Sequence, residues 1–156
     1  MKGIKEIRLK AYNYSSNGYY FITICSHKRK PFFNEEFLRN LAENHLKTLK
    51  GINGVYLDQY VVMPNHLHII FELNGCRLKI GEIVRRFKAG ISRQITEKIW
   101  QPNYYEYVIR SDKALKKIRE YILNNPTVAE IDFEQFYSTD NKNPKSKELD
   151  KSSNYN

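Results

Sequence analysis

Cysteine is nearly missing. Cys25 and Cys76 are the only two in 156 residues, and they share no CxxC spacing. That excludes a disulfide scaffold, and both thiols read as reduced. Long apolar runs are missing too: no stretch approaches the ~20 residues of a membrane span, and the opening "MKGIKEIRLK" holds no hydrophobic leader. The expectation is a cytoplasmic protein with no membrane association. Acidic residues are outnumbered, 17 Asp and Glu against 26 Lys and Arg, for a formal net charge of +9. Such an excess favours a polyanionic partner, nucleic acid ahead of an anionic membrane surface. A merely soluble surface would also accommodate it.

Apolar content of 41% with 13% aromatics describes a folded globule, and the length suits one domain. The folded part is expected to span residues 1–137. From Ser138 the chain becomes polar, with four Lys and three acids, so this tail of residues 138–156 carries only +1 of the charge.

Within the folded part, strand and helix patterns alternate. "GYYFITICS" from Gly18 is β-branched and aromatic after the turn signal Ser16-Asn17-Gly18. A helix follows, with Asn34 as N-cap, Gly51 at its end and an apolar face of Phe37, Leu38, Leu41, Leu46 and Leu49. "VYLDQYVVM" from Val55 and "HLHIIFEL" from His66 read as two strands broken at Pro64-Asn65. A second helix is predicted over Lys79–Ile99 with a stripe of Ile80, Ile83, Val84, Phe87, Ile91 and Ile95. A strand follows from Tyr104. A third helix opens at Ser111-Asp112 and stops before Pro126. The order β-α-β-β-α-β plus one helix predicts an α+β, ferredoxin-like sandwich with a mainly antiparallel sheet and helices on one face.

Two of the four histidines, His66 and His68, stand two apart in an apolar strand and so project to one side. Such a pair can chelate a divalent cation, or it can be two satisfied core histidines; as a metal site it needs a third donor. The third helix places Tyr121 and Asn125 four apart on one face. Taken alone, each also fits a bland role, Tyr121 as edge packing and Asn125 as a terminator before Pro126. Arg85, Arg86 and Arg93, with Lys79, lie away from the apolar stripe of the second helix; together with Lys88 they could follow a phosphate backbone. The cluster Tyr104, Tyr105 and Tyr107 offers stacking platforms for unpaired bases, while Tyr105 and Tyr107 point the same way and at least one belongs to the core. Trp100 and Gln101 at the helix-strand junction could read a base, though packing of the corner is the favoured reading.

"MPNHLHIIF" resembles the HUH motif (His, bulky apolar, His) of single-tyrosine transposases, and among them the REP-associated tyrosine transposases. "YNYSSNGYYFITICSHKRKPFF", "IVRRFKAGISRQI", "WQPNYYEYVIR" and "IREYILNNP" are similar to further segments of that family, in order, over roughly residues 8 to 132. The resemblance implies cleavage and strand transfer of single-stranded DNA at hairpin-forming repeats, through a 5′-phosphotyrosine. It implies Tyr121 as nucleophile and His66, His68 and Asn125 as ligands of Mg²⁺ or Mn²⁺. Imidazole pairs by themselves suit later transition metals better, and a phenol of ordinary pKa about 10 needs help to ionise; Lys117 is one basic neighbour. The resemblance leaves monomer and homodimer both open and gives no obligate protein partner. Two other readings remain: a single-strand DNA- or RNA-binding module without chemistry, and a phosphoesterase using a metal-bound water in place of Tyr121.

Overall fold

The computed structural model describes residues 17–124. In chain order the elements are β1 (Gly18–Cys25), α1 (Glu36–Thr48), β2 (Val55–Met63), β3 (His66–Leu73), α2 (Ile80–Ser92), β4 (Tyr105–Ile109) and α3 (Asp112–Asn124). The sheet order is β2-β3-β1-β4, and every neighbouring pair is antiparallel. This is the α+β arrangement that the element order predicts. Asn125 and the polar tail of residues 138–156 lie outside the described residues.

Strand alternation builds two cores, one on each face of the sheet. Tyr20, Ile22 and Ile24 of β1 and Leu67, Ile69 and Phe71 of β3 meet α1 and α2 on one face. Phe21, Ile70, Tyr107 and Ile109 face the other way, against Ala114, Leu115, Ile118 and Ile122 of α3. Two helices therefore share a face as expected, and the third covers the opposite one. His66 and His68 belong to the α3 face, because their register partners Cys25 and Thr23 share the side of Phe21 along β1.

β2 and β3 keep the limits that the sequence pattern gives, while several other boundaries differ, each for a local reason. β2 and β3 are joined by Pro64 and Asn65 alone; proline's fixed φ suits the first position of a turn. Asn34 closes a short 3-10 turn, and Glu35 takes the N-cap position of α1. Phe37 is 63% exposed, while Leu38, Ala42 and Leu46 make the buried stripe. Gly51 ends a 3-10 turn, Leu49–Gly51. α2 stops at Ser92, seven residues short of Ile99, since the chain must turn back to bury Ile99 and Trp100 in the first core. Trp100 lies between Phe33 and Phe87, each 5.7 Å away by ring centroid, and its Nε1 donates to Lys88 O at 3.1 Å. Gln101 N donates to Cys25 O at 3.0 Å, which fixes the same corner.

One irregularity bears on the tyrosine helix. β2 shifts register between Leu57 and Gln59, leaving Asp58 as the extra residue of a bulge. Arg119 of α3 meets it with two bonds, Nε to Oδ2 at 2.9 Å and Nη2 to Oδ1 at 2.8 Å. The same guanidinium stands 5.7 Å over the Tyr19 ring. Planar two-point pairing specifies orientation as well as energy, so this pair holds α3 in place on its own sheet. Arg119→Ala is expected to cost about 1 kcal/mol, the pair being partly exposed, and to lower the melting temperature by about 4 °C. Differential scanning calorimetry checks it.

Candidate active site

His66 and His68 project from β3 with ring centroids 4.7 Å apart. His68 is almost fully enclosed, at 4% exposure. Its ring lies 5.4 Å from that of Phe21 and 5.5 Å from that of Tyr121, the latter met nearly edge-on at 70°. The helix thus brings Tyr121 beside the histidine pair, from 53 residues along the chain and from the opposite side of the α3 core.

Hydrogen bonds fix how each imidazole is presented. Asn65 Oδ1 lies 2.7 Å from His66 Nδ1; a carboxamide oxygen only accepts, so Nδ1 carries the proton and Nε2 the lone pair. Thr23 Oγ1 lies 2.8 Å from His68 Nδ1, and with the hydroxyl accepting, Nε2 of this ring likewise carries the lone pair. Burial holds both rings neutral. His66 is pushed down to about 4, by burial first and the Arg29 charge second. His68 is held well below the usual range by burial, then by His66 and Arg29. Two neutral imidazoles whose Nδ1 atoms are engaged and whose Nε2 atoms are free constitute a donor set that fits a divalent cation. Among the described residues no group of three His, Cys, Asp or Glu completes it. Asn125, expected as third donor, lies outside those residues.

The depressed values carry a stability consequence. Below pH about 6.5 an unfolded histidine binds a proton that the folded imidazoles refuse, so stability is full above that pH and falls as the pH drops toward 4. In EDTA, urea unfolding is expected to show a loss on the order of 1 kcal/mol per histidine between pH 7 and pH 5.

The basic and aromatic candidates separate. Arg85 and Arg86 are exposed on α2, and both bond Glu82, at 2.6 Å and 3.0 Å. Lys79 and Arg93 stand exposed at the two ends of that helix. Lys88 does something else: its Nζ donates to Gln101 O at 3.0 Å and Asn103 O at 2.8 Å, and burial lowers it to about 8. It ties the Trp100 corner to α2. Tyr104 packs against the α1/α2 core with its hydroxyl on Glu106 at 3.1 Å, away from the histidines. Tyr105 pairs with Thr23 in register and so shares the face of His68, whereas Tyr107 is wholly buried. The residues the sequence pattern did not bring out are Thr23, Asn65 as a ring partner, Asp58 and Arg119; Thr23 alone had a signal, a polar residue in an otherwise apolar strand.

A single sheet with helices on both faces carries paired imidazoles on β3, with Tyr121 of α3 beside them, and the chain is an enzyme, a tyrosine transposase of the HUH type. The family model described as "Transposase IS200 like" matches residues 14–125, and the chain belongs to that family. An uncharacterized protein of Haemophilus influenzae is 38% identical over 82% of this chain and 91% of its own. A REP-associated tyrosine transposase of Escherichia coli is 24% identical over 72% of this chain and 68% of its own. A solved REP-associated tyrosine transposase bound to a REP hairpin matches with a TM-score of 0.63 at 22% identity, over 75% of this chain and 71% of that one. That last likeness is one of fold.

Proposed function

We propose that this transposase cuts and rejoins single-stranded DNA at hairpin-forming repeats, with Tyr121 as nucleophile and a divalent cation, Mg²⁺ or Mn²⁺, held by His66, His68 and Asn125. The observation that carries the reading is the edge-on meeting of Tyr121 with a histidine whose Nδ1 is already engaged. The hairpin substrate is suggested by the relative solved on a REP hairpin.

The residues divide the work. Thr23 and Asn65 orient the two imidazoles, and burial keeps those rings unprotonated at neutral pH. When bound, the cation would polarise a phosphate oxygen and offset charge in the transition state. Tyr121 Oη attacks phosphorus, its proton passes to solvent, the Oη–P bond forms and the P–O3′ bond breaks. The released 3′-oxygen takes a proton and leaves as a hydroxyl. The 5′-phosphotyrosine conserves the phosphodiester energy, so a 3′-hydroxyl attacking it regenerates the phenol and joins DNA without ATP. Arg85, Arg86, Arg93, Lys79 and Tyr105 are assigned to DNA contact outside the reacting atoms; Lys88 and Tyr104, engaged within the fold, are expected to contribute through its rigidity.

A covalent-trapping assay tests this. End-labelled hairpin oligonucleotides mixed with the protein and Mn²⁺ are expected to give a denaturation-resistant band that EDTA prevents. Binding with no adduct across varied hairpins and metals would favour a binding module. Cleavage that survives Tyr121→Phe would favour a water nucleophile.

A further inference from the structure

Between β1 and α1 the chain reads Ser26-His27-Lys28-Arg29-Lys30, four successive residues capable of positive charge in a stretch the assignments above leave out. Lys28 and Arg29 both adopt left-handed backbone, with φ of 54° and 57°. That conformation is unfavourable for residues with a Cβ, by roughly 1 kcal/mol or more each. It persists here because the loop is fastened to the Pro64-Asn65 turn that opens the histidine strand. Ser26, wholly buried, donates its N–H to Asn65 O at 3.0 Å. Its Oγ lies 2.7 Å from Lys30 O and 3.1 Å from Asn65 O, sharing one proton between them. Asn65 Nδ2 reaches back to Arg29 O at 3.4 Å. A single asparagine therefore touches both the His66 ring and the backbone of Arg29.

From the strained turn Arg29, itself exposed, lays its guanidinium over the end of β1, where Nη1 stands 3.5 Å from Cys25 Sγ. Cys25 is the register partner of His66, so this guanidinium lies at the rim of the histidine site. Arg85 and Arg86 are compensated by Glu82 and Arg119 by Asp58, while Arg39 bonds the backbone carbonyls of Phe33 and Asn34. Among the described residues no carboxylate pairs with Arg29. An exposed planar cation on a fastened loop, with no carboxylate partner and beside two neutral imidazoles, is suited to receive an anion. Lys28 and Lys30, both exposed, extend the same charge along the loop.

We propose that Arg29 is a catalytic residue that grips a non-bridging oxygen of the scissile phosphate, with Lys28 and Lys30 holding the adjoining phosphates of the strand. The inference rests on the reading that this site transfers a DNA phosphoryl group to Tyr121. The guanidinium donates hydrogen bonds and no proton, so it leaves the balance of that step unchanged and acts on the charge that builds on phosphorus.

Single-turnover adduct formation, strand affinity by fluorescence anisotropy and Mn²⁺ affinity by electron paramagnetic resonance are to be measured on wild type, Arg29→Lys and Arg29→Ala. Arg29→Ala is expected to slow adduct formation by about 10²-fold or more, and Arg29→Lys by about 10-fold, the size of effect seen when one transition-state donor is removed. Mn²⁺ affinity should hold or rise, since a nearby positive charge is gone. An unchanged adduct rate in Arg29→Ala would overturn the proposal and leave the tyrosine mechanism standing. A fall in Mn²⁺ affinity that accounts for the lost rate would also overturn it, by making Arg29 a positioning residue. Should wild type form no adduct at all, the tyrosine reading fails and the loop is judged on anisotropy. Lower, less salt-dependent affinity in Arg29→Ala then keeps it as a phosphate site; equal affinity removes it.

Discussion

His68→Ala is expected to abolish Mn²⁺-dependent adduct formation, a loss of at least about 10³-fold, as befits removal of one member of a set that acts as a unit. It is also expected to destabilise the fold. His68 is buried between Phe21 and Tyr121 and takes up the Thr23 hydroxyl, so alanine leaves a void and an unpaired buried polar group, costing about 1–3 kcal/mol for the hydroxyl alone. Activity loss and unfolding must therefore be separated. His68→Gln keeps volume and a polar partner for Thr23 and is expected to fold while remaining inactive. Thr23→Val removes only the ring's anchor and leaves both imidazoles, so it should weaken Mn²⁺ binding by about 10-fold, the usual cost of losing a partner behind a ligand. Calorimetric titration with Mn²⁺ on all three ranks them; equal affinity for wild type and His68→Gln would remove this histidine from the metal site.

Tyr121→Phe has the other large effect, and it is cleaner. Phenylalanine keeps the ring that meets His68 edge-on and the seat of α3 on Phe21 and Ile70. Stability and Mn²⁺ affinity should stay close to wild type. Hairpin affinity should stay within about 2-fold, since strand binding is dominated by phosphate contacts elsewhere. Covalent adduct and strand cleavage should both vanish, by at least about 10³-fold, because the variant lacks the attacking oxygen. Gel analysis with 5′- and 3′-labelled strands reads both at once.

Much of this was legible beforehand because alternation is a strict code. The limits of β2 and β3 follow from their apolar and β-branched runs and from Pro64, which interrupts the ladder. The shared side of His66 and His68 follows from the same period, and it put them correctly on one face. Helix ends were harder: α2 stops at Ser92 because burying Ile99 and Trp100 outweighs continued helical propensity. Phe37 looked like core and is exposed, since Leu38 and Ala42 already fill the facing surface.

The site's finer parts depended on tertiary placement that no local pattern encodes. Asp58 faces Arg119 only because of a bulge. Lys88 looked like one more cation on a basic helix, yet two backbone carbonyls of the Trp100 corner claim it. Asn65 read as turn punctuation and proves to orient the His66 ring.

Mass-spectrometric mapping of the trapped adduct tests the central claim most directly. Wild-type protein incubated with a hairpin oligonucleotide and Mn²⁺ is digested with protease and nuclease, and the nucleotide-bearing peptide is sequenced. The account predicts one modified peptide, with a 5′-linked nucleotide on Tyr121. A nucleotide on any other residue, or cleaved DNA with no modified peptide, would contradict it.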